Sequence, residues 1–359
     1  DGPASIAFTN GYMIGAVLDR NGLRPSRIYV TADDLVIMSS EVGVLPIPPE
    51  KVVKKWRLQP GRIFLVDMKQ GRIVEDEEIK HDLVDKRPWQ RWIKENVVGL
   101  DTLPGPRTVH EADLESLTAR QHSFGYTTET AKMIIVPMAT NAEESVGSMG
   151  SDTPLACLSD KPQLLYSYFK ELFAQVTNPP LDAIREELVT SLHTYLGRES
   201  NLLDETPQHC RLIRLAQPIL SNVELEKLRQ FNREPFRSAT LPMLFPAAGG
   251  PSALEAAVDD LCQKAKEAVA NGVSILILSD RGVSKDHAPI PALLATAAVH
   301  NRLIRDGIRT LCSLVIETGE AHEAHHFCLL IGYGAGAVNP YLVFETIAHA
   351  QRQRLFSEK

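Results

Sequence analysis

Short apolar runs separated by polar turn residues dominate the first 75 residues, and this pattern is typical of antiparallel strands. Asn10-Gly11, a strong signal for a tight turn, separates the apolar run 6–8 from the run 13–18. Two further pairs of runs follow across polar turns: 27–30 with 35–38, and 62–67 with 72–74. We therefore predict an antiparallel β layer at the start of the chain.

Helical spacing of apolar positions replaces this pattern from residue 76 onward. The stretch Leu103-Pro104-Gly105-Pro106 is the clearest linker, because proline and glycine interrupt both helices and strands. We place a domain boundary there, which gives domains 1–105 and 106–359. The helical segments predicted on either side of it are 76–97, 111–121, 128–138, a helix–loop–helix over 162–196, and 223–231.

The last third of the chain alternates apolar strands with amphipathic helices, a pattern that indicates parallel pairing and right-handed crossovers. The predicted strands are 240–245, 273–279, 308–316 and 327–331, and the predicted helices are 252–270, 291–306 and 340–354. The fold class is therefore α/β and α+β: an antiparallel β layer followed by an α/β unit, of a kind that also builds part of a barrel.

A proline-containing loop divides the predicted helix–loop–helix. Pro179 and Pro180 lack backbone N–H donors and disfavour helix at the residue before each of them. The loop offers backbone carbonyls and the polar side chains of Gln175, Thr177 and Asn178. Spacing alone favours a plain connection between helices, although such a loop also suits the wall of a path for something small and polar.

One short motif matches the zinc-binding pattern H-E-x-x-H, at His322-Glu323-Ala324-His325-His326. Zinc needs both histidines on one face of a helix, but the flanking runs 314–316 and 327–331 predict strands, whose side chains alternate between faces. We therefore expect no metal here. A metallohydrolase built on these histidines stays as an alternative function, and His325 or His326 stays a candidate for an interface.

Two further stretches lie where α/β proteins place ligands. Asp280 and Arg281 follow a buried strand and are the best site candidates in this third of the chain. The alternative is an ion pair that supports the next loop, and we favour this structural role. The glycines of 332–336 follow a predicted strand and precede a helix, but they do not complete G-x-G-x-x-G. We interpret them as a tight turn, with phosphate binding as the second option, and His300 as a packing histidine.

Composition narrows the classes of function. The net charge of −7 argues against nucleic acid or an anionic membrane as the main partner. No apolar run approaches the roughly 20 residues that cross a bilayer, and we expect no signal peptide. The five widely spaced cysteines predict reduced, buried thiols in a cytoplasmic protein. Without an initiator Met, we expect the chain to be a piece of a longer polypeptide.

Several words of the sequence, in order along nearly the whole chain, resemble the large subunit of glutamate synthases. They are Leu18-Asp19-Arg20-Asn21-Gly22-Leu23-Arg24-Pro25, Ser40-Glu41-Val42-Gly43, Met149-Gly150-Ser151-Asp152-Thr153-Pro154-Leu155-Ala156, Gln175-Val176-Thr177-Asn178-Pro179-Pro180-Leu181-Asp182, Gly332-Tyr333-Gly334-Ala335 and Asn339-Pro340-Tyr341-Leu342. The resemblance implies that 1–105 closes a class II glutamine amidotransferase domain of αββα architecture, and that 106–359 is the central linking domain.

The family resemblance also implies an activity for the parent protein, which forms two L-glutamates from glutamine, 2-oxoglutarate and reductant. Its catalytic N-terminal cysteine lies outside this chain, whose first cysteine is Cys157. FMN and a 3Fe-4S cluster belong to a further domain, so no catalytic, cofactor-binding or metal residue is expected here. Thr177 and Asn178 are expected to line an internal ammonia path, with Gln175, Pro179 and Pro180 supporting their loop.

The expected partners are the adjoining amidotransferase and FMN domains, together with a small NAD(P)H-oxidising subunit or ferredoxin. The general character of the first hundred residues favours the nicotinamide type. The expected compartment is the cytoplasm, or a plastid if the source is a plant. A non-catalytic α/β scaffold without any channel remains the other alternative function.

Overall fold

The computed structural model describes residues 3–145, 154–171, 173, 176, 181 and 183–354, except for the side chains of 184 and 185. The chain forms two compact units, Asp1–Arg91 and Trp92–Lys359. The domain boundary proposed at residue 105 stays a prediction, because compact units and sequence domains need not coincide.

The first unit contains two antiparallel sheets. Its strands are β1 (Ser5–Thr9), β2 (Met13–Leu18), β3 (Arg27–Thr31), β4 (Val36–Ser39), β5 (Val52–Arg57), β6 (Phe64–Asp67) and β7 (Arg72–Val74). One sheet has the order β1-β2-β6-β7 and the other β4-β3-β5. Ala16, Ile28, Leu58 and Phe64 form the buried core of the unit. The predicted antiparallel β layer is therefore confirmed.

Two helices, α1 (Asp76–Asp85) and α2 (Trp89–Asn96), occupy the charged stretch predicted to be helical. The next stretch begins the core of the second unit: Leu100 and Leu103 are buried with Ile213 and Leu215. The segment 99–103 is thus packed, although its proline and glycine content is that of a linker.

The first half of the second unit is less helical than predicted. Its elements are β8 (Val98–Gly99), α3 (Leu117–Ser123), a π-helical stretch (Thr130–Ile135), α4 (Val136–Asn141), α5 (Ala183–Val189), β9 (Thr194–Gly197), β10 (Leu212–Leu215) and α6 (Asn222–Gln230). The sheet order is β8-β10-β9.

The helix–loop–helix predicted over 162–196 is wrong in its extent. Only a 3-10 helix, Leu165–Phe169, and the short α5 are helical among its described residues. The side chains that should have formed the second apolar face, Leu188 and Leu192, are 80% and 63% exposed. The described side chains of α5 are exposed, and a helix that buries little apolar surface has little beyond its intrinsic propensity to stabilise it, so it stays short.

A parallel sheet forms the second half of this unit. Its elements are β11 (Ser238–Pro242), β12 (Leu244–Pro246), α7 (Gly250–Ala270), β13 (Ile275–Ser279), β14 (His287–Pro289), α8 (Ala292–Arg305), β15 (Ser313–Glu317), α9 (Ala324–Gly332), β16 (Ala335–Asn339) and α10 (Tyr341–Arg352). The strand order is β11-β13-β15-β16, with every neighbouring pair parallel. The predicted α/β unit is confirmed.

Alternate residues of the central strand β13 point into two different cores. Leu276 and Leu278 pack in the cluster that contains residues of α7 and α8, such as Leu261 and Val299. Ile275 and Ile277 pack in the cluster formed with β9, β10 and α6. Burial on both faces explains why this strand is continuously apolar.

The strand predicted at 327–331 is wrong, because these residues belong to α9. His326 and Leu330, four residues apart, are the buried side of that helix. The glycine-rich run 332–336 therefore joins a helix to β16, the reverse of the predicted order, and does not follow the carboxyl end of a strand. Gly334 has φ +114°, and a Cβ there would lie 2.2 Å from His300 Nδ1.

Two of the cysteines also depart from prediction. Cys157 and Cys328 are exposed, whereas Cys262 and Cys312 are buried and Cys210 is intermediate. Cys328 lies two residues from both His326 and Leu330, so the helix turns it away from the core. None of the described helices is long and apolar enough to cross a membrane.

Candidate functional site at the carboxyl ends of the parallel strands

Strands β13, β15 and β16 are neighbours in the sheet, and polar residues stand at the carboxyl end of each. Open parallel sheets and parallel barrels bind ligands at this end. Together with residues from three helices they form what we call the carboxyl-edge cluster: Arg120, Arg229, Asp280, Arg281, Glu317, Tyr341 and Glu345.

Glu317, the last residue of β15, is the centre of the cluster and has no exposed surface. Arg229 Nη2 donates to its Oε2 at 2.7 Å, and Ser279 Oγ donates to the same oxygen at 2.6 Å. Arg281 Nε donates to Oε1. Burial alone would raise the pKa of this carboxyl, but the two guanidinium groups outweigh burial and hold the pKa below its usual value.

Arg281 connects Glu317 to α10. Its guanidinium lies over the ring of Tyr341, 4.0 Å from the centroid, and its Nη1 is 3.4 Å from Glu345 Oε1. Arg120 of α3 pairs with the other oxygen of Glu345 at 2.5 Å. An alternating row of charges, Arg229–Glu317–Arg281–Glu345–Arg120, therefore joins α6, β15, the loop after β13, α10 and α3.

Asp280 is fully buried and pairs with hydroxyl and amide groups rather than with Arg281, so the predicted ion pair between these two residues is wrong. Its carboxylate accepts from Thr318 Oγ1 at 2.5 Å and from the Gly319 N–H at 3.0 Å. Burial raises the pKa of Asp280 to about 7, against the opposing effect of these hydrogen bonds and of the Tyr341 hydroxyl.

The next turn of the chain carries the histidine motif. Glu320 Oε2 accepts from the Ala292 N–H at 2.8 Å, which caps the first turn of α8. His322 Nδ1 is 2.8 Å from the Glu320 carbonyl, and the His322 N–H donates to His326 Nδ1 at 3.2 Å. The His326 ring stacks on Tyr166, with centroids 4.3 Å apart.

His322, Glu323 and His326 bring possible ligand atoms within 4.8 Å of one another, because His322 and Glu323 lie just before α9 and His326 lies in its first turn, so that they do not form a strand. Their hydrogen bonds decide what they offer a metal. His326 Nδ1 accepts a backbone N–H, so its proton lies on Nε2 and neither nitrogen has a free lone pair. His322 Nδ1 donates to a carbonyl, which leaves the lone pair of its Nε2 free.

Burial lowers the pKa of both rings, and it lowers that of His326 to about 3. Two neutral rings with one free nitrogen between them fit a packed, hydrogen-bonded corner better than a zinc site with several protein ligands. The prediction that strands flank the histidines on both sides was thus wrong, since a helix follows them. The expectation of no metal stays a prediction, now for a different reason.

Of the other predictions for single residues, the structure tests some and leaves others untested. Gln175, Thr177, Asn178, Pro179 and Pro180 lie outside the described residues. His300 is a packing histidine, as predicted: its Nδ1 accepts from Arg309 Nε at 2.9 Å.

Sequence reasoning missed five members of the cluster: Arg120, Arg229, Glu317, Tyr341 and Glu345. Glu317 had a usable signal, since it is a carboxylate directly after the apolar run 314–316. The other four lie on helices, where spacing along the chain does not show which polar or aromatic side chains face the site.

Two family models match the chain. The model of the glutamate synthase central domain matches residues 119–359, and that of the class-II glutamine amidotransferases matches residues 1–92. The first match covers well over half of the chain, and both agree with the resemblance seen in the sequence.

Characterised proteins match over nearly all of the chain. It is 47% identical to the glutamate synthase (NADPH) large chain of Bacillus subtilis, over 96% of this chain and 22% of that protein. It is 42% identical to the glutamate synthase (NADH) of Schizosaccharomyces pombe, over 98% of this chain and 17% of that protein. The chain is also 42% identical to the chloroplastic ferredoxin-dependent glutamate synthase of Spinacia oleracea, over 96% of this chain and 21% of that protein.

The chain thus spans about a fifth of the length of these relatives. Its antiparallel first unit coincides with the amidotransferase match, and its α/β unit lies within the central-domain match. From these matches and this architecture, the chain belongs to the glutamate synthase family, as the end of an amidotransferase domain followed by the central domain.

Proposed function

We propose that this chain is a segment of a glutamate synthase that converts glutamine, 2-oxoglutarate and reductant into two L-glutamates. The observation that supports this most strongly is the match to glutamate synthases over 96–98% of the chain. Fold alone would not support it, because α/β units serve many chemistries.

Within that enzyme the segment connects the glutaminase and FMN domains and helps to form the internal path for ammonia. Ammonia released into water would be protonated and lose its nucleophilicity, so an enclosed path serves the chemistry. Thr177 and Asn178 line this path near its entry, through carbonyls or side chains. Gln175, Pro179 and Pro180 support their loop.

Packing of the preceding segment is consistent with this role. Leu164 and Leu165 pack against the main core of the α/β unit, and Tyr166 is fully buried in it. His325 Nε2 lies 3.3 Å from the Tyr166 carbonyl oxygen. The chain is therefore firmly anchored shortly before the residues assigned to the ammonia path.

Cofactors, partners and compartment follow from the same proposal. FMN and a 3Fe-4S cluster belong to the parent protein, outside this segment, as does the catalytic cysteine. The electron donor is a nicotinamide nucleotide through a small subunit, or else ferredoxin, and the relatives include proteins of both names. We place the parent in the cytoplasm, or in a plastid for a plant source.

An activity assay on the polypeptide that contains this chain tests the proposal. Glutamate formation is compared with glutamine and with ammonium as nitrogen source, and a flavin spectrum is recorded on the same sample. Glutamine-dependent synthesis with bound flavin is expected. A protein without flavin and without glutamine dependence would instead support the scaffold or the hydrolase, and metal analysis would separate those two.

A further inference from the structure

A small cleft opens beside the carboxyl-edge cluster. It has a volume of about 290 Å³, and its inner side is formed by the buried residues Tyr341 and Glu345 and the partly buried residues Arg120 and Arg281. Exposed residues of the loop before α3, among them Glu111 and Asp113, form its other side. The volume lies just below the roughly 300–1,000 Å³ typical of drug-sized ligands, so the cleft suits a small metabolite.

Hydrogen-bonding capacity remains on both sides of this cleft. Arg281 uses Nε for Glu317 and Nη1 for Glu345, whereas its Nη2 donates to no group in the described part of the chain. Glu111 has no ion-pair partner among the described residues, while Asp113 is occupied by the hydroxyl and N–H of Ser116.

The balance of charge selects the kind of ligand. A simple anion would be attracted by the guanidinium groups of Arg120 and Arg281 but repelled by the carboxylates of Glu345, Glu111 and Asp113. A simple cation would be attracted by the carboxylates but repelled by the two guanidinium groups. A zwitterion satisfies both sides when its carboxylate faces the arginines and its ammonium group faces the exposed carboxylate.

We propose that this cleft binds a free α-amino acid, with its carboxylate on Arg281 Nη2 and its ammonium group on Glu111. No step of the proposed glutamate synthesis requires such a site, so it would act as an effector site for an amino acid. Binding is measured without turnover, and its failure is therefore distinguishable from failure of the proposed function.

Equilibrium dialysis of the 359-residue chain with labelled L-glutamine and L-glutamate tests the proposal. The variant Glu111→Gln removes one charge from an exposed side chain and leaves the ion-pair row intact. Glu115→Gln is the matched control, since Glu115 is exposed in the same loop but does not line the cleft. Binding of at least one amino acid is expected, weakened about tenfold by Glu111→Gln and unchanged by Glu115→Gln.

Three results would overturn the proposal: no binding of either amino acid at about 10 mM ligand, equal binding by the Glu111→Gln variant, or equally good competition by 2-oxoglutarate. The last result would identify a site for anions rather than for zwitterions. Circular dichroism of each variant verifies that a loss of binding does not come from unfolding.

Discussion

Glu317 shows how single residues at the carboxyl edge keep a charge inside the protein. Its carboxylate has no exposed surface and relies on Arg229, Arg281 and Ser279 for every interaction described above. Such groups are costly to disturb one at a time, because the remaining partners stay buried without compensation.

Replacing Glu317 with Gln should therefore destabilise the second unit by about 3 kcal/mol, the low end of the range for a broken buried pair. The low end applies because the two arginine side chains keep about a fifth of their surface exposed, at 19% and 21%. Urea denaturation measures the change. Glu255→Gln, an exposed position on α7, is the control, and equal stability of the two variants would contradict the prediction.

Asp280 gives a pH dependence of known sign. Burial raises the pKa of its carboxyl from 3.8 to about 7, so the folded state binds this proton more tightly than the unfolded state. The stabilising contribution of this group is then complete below pH 3.8 and is lost as the pH rises towards 7.

The asparagine side chain of the Asp280→Asn variant cannot ionise. The variant should therefore not show this loss of stability as the pH rises. The stability of the variant relative to the parent should increase as the pH rises from 4 to 7, and thermal melts of both proteins across that range measure it. Other titrating groups, including Glu317 with its lowered pKa, occur in both proteins and cancel in the difference. Parallel pH profiles would show that Asp280 does not titrate in this range.

Thr177→Val tests the proposed ammonia path. If the hydroxyl lines the path, glutamine-driven glutamate synthesis should fall relative to glutamine hydrolysis, because ammonia is no longer passed on efficiently. Paired assays of both reactions on the complete polypeptide measure the ratio. Thr190→Val, whose hydroxyl bonds the Glu186 carbonyl, is the control. An unchanged ratio excludes a role for the hydroxyl and leaves only one for the carbonyl.

Among the elements, α9 and the turn after it depart most from what the sequence predicts. The five apolar residues of the run 327–331 fit a buried strand and a buried helix equally well by periodicity. Packing beside β16 decides between the two, because only a helix places both His326 and Leu330 on one buried side. The following strand then begins with Ala335 and Gly336, residues with weak strand propensity.

Gly334→Ala measures how tightly this turn is packed. The new Cβ would overlap the His300 ring, at 2.2 Å from Nδ1, and would require φ +114° of an alanine. Gly307→Ala is the matched control, since Gly307 also has a positive φ, +70°, but open space around it. We expect Gly334→Ala to cost about 2 kcal/mol more than the control in denaturation experiments. Equal costs would show that His300 moves freely.

On the scale of the whole molecule, the segment after residue 91 belongs physically to the second unit. Val98 and Gly99 pair with Ile213 and Arg214, and the side chains of Leu100 and Leu103 are 4% and 5% exposed. The proline-rich stretch that suggests a linker therefore starts inside a folded core.

A chain comprising residues 92–359 should be more stable than one comprising 106–359, by about 3 to 6 kcal/mol. The estimate counts two buried leucine side chains at about 1.5–3 kcal/mol each. Thermal and urea denaturation of the two fragments measure the difference. Equal stability would mean that residues 92–105 contribute nothing to folding, and would favour the boundary at residue 105 for folding as well as for sequence.

The sequence by itself determined the class of fold, the order of the two regions and the family. Alternating and continuous apolar runs are local properties, and the family words extend over the whole chain, so neither needs coordinates. Tertiary structure decided the length of α5, the helical state of α9 and the membership of the carboxyl-edge cluster. Those features depend on which distant side chains share a buried space: Glu317 and Glu345 share Arg281, and Arg120 pairs with Glu345, only after the separate elements that carry them pack together.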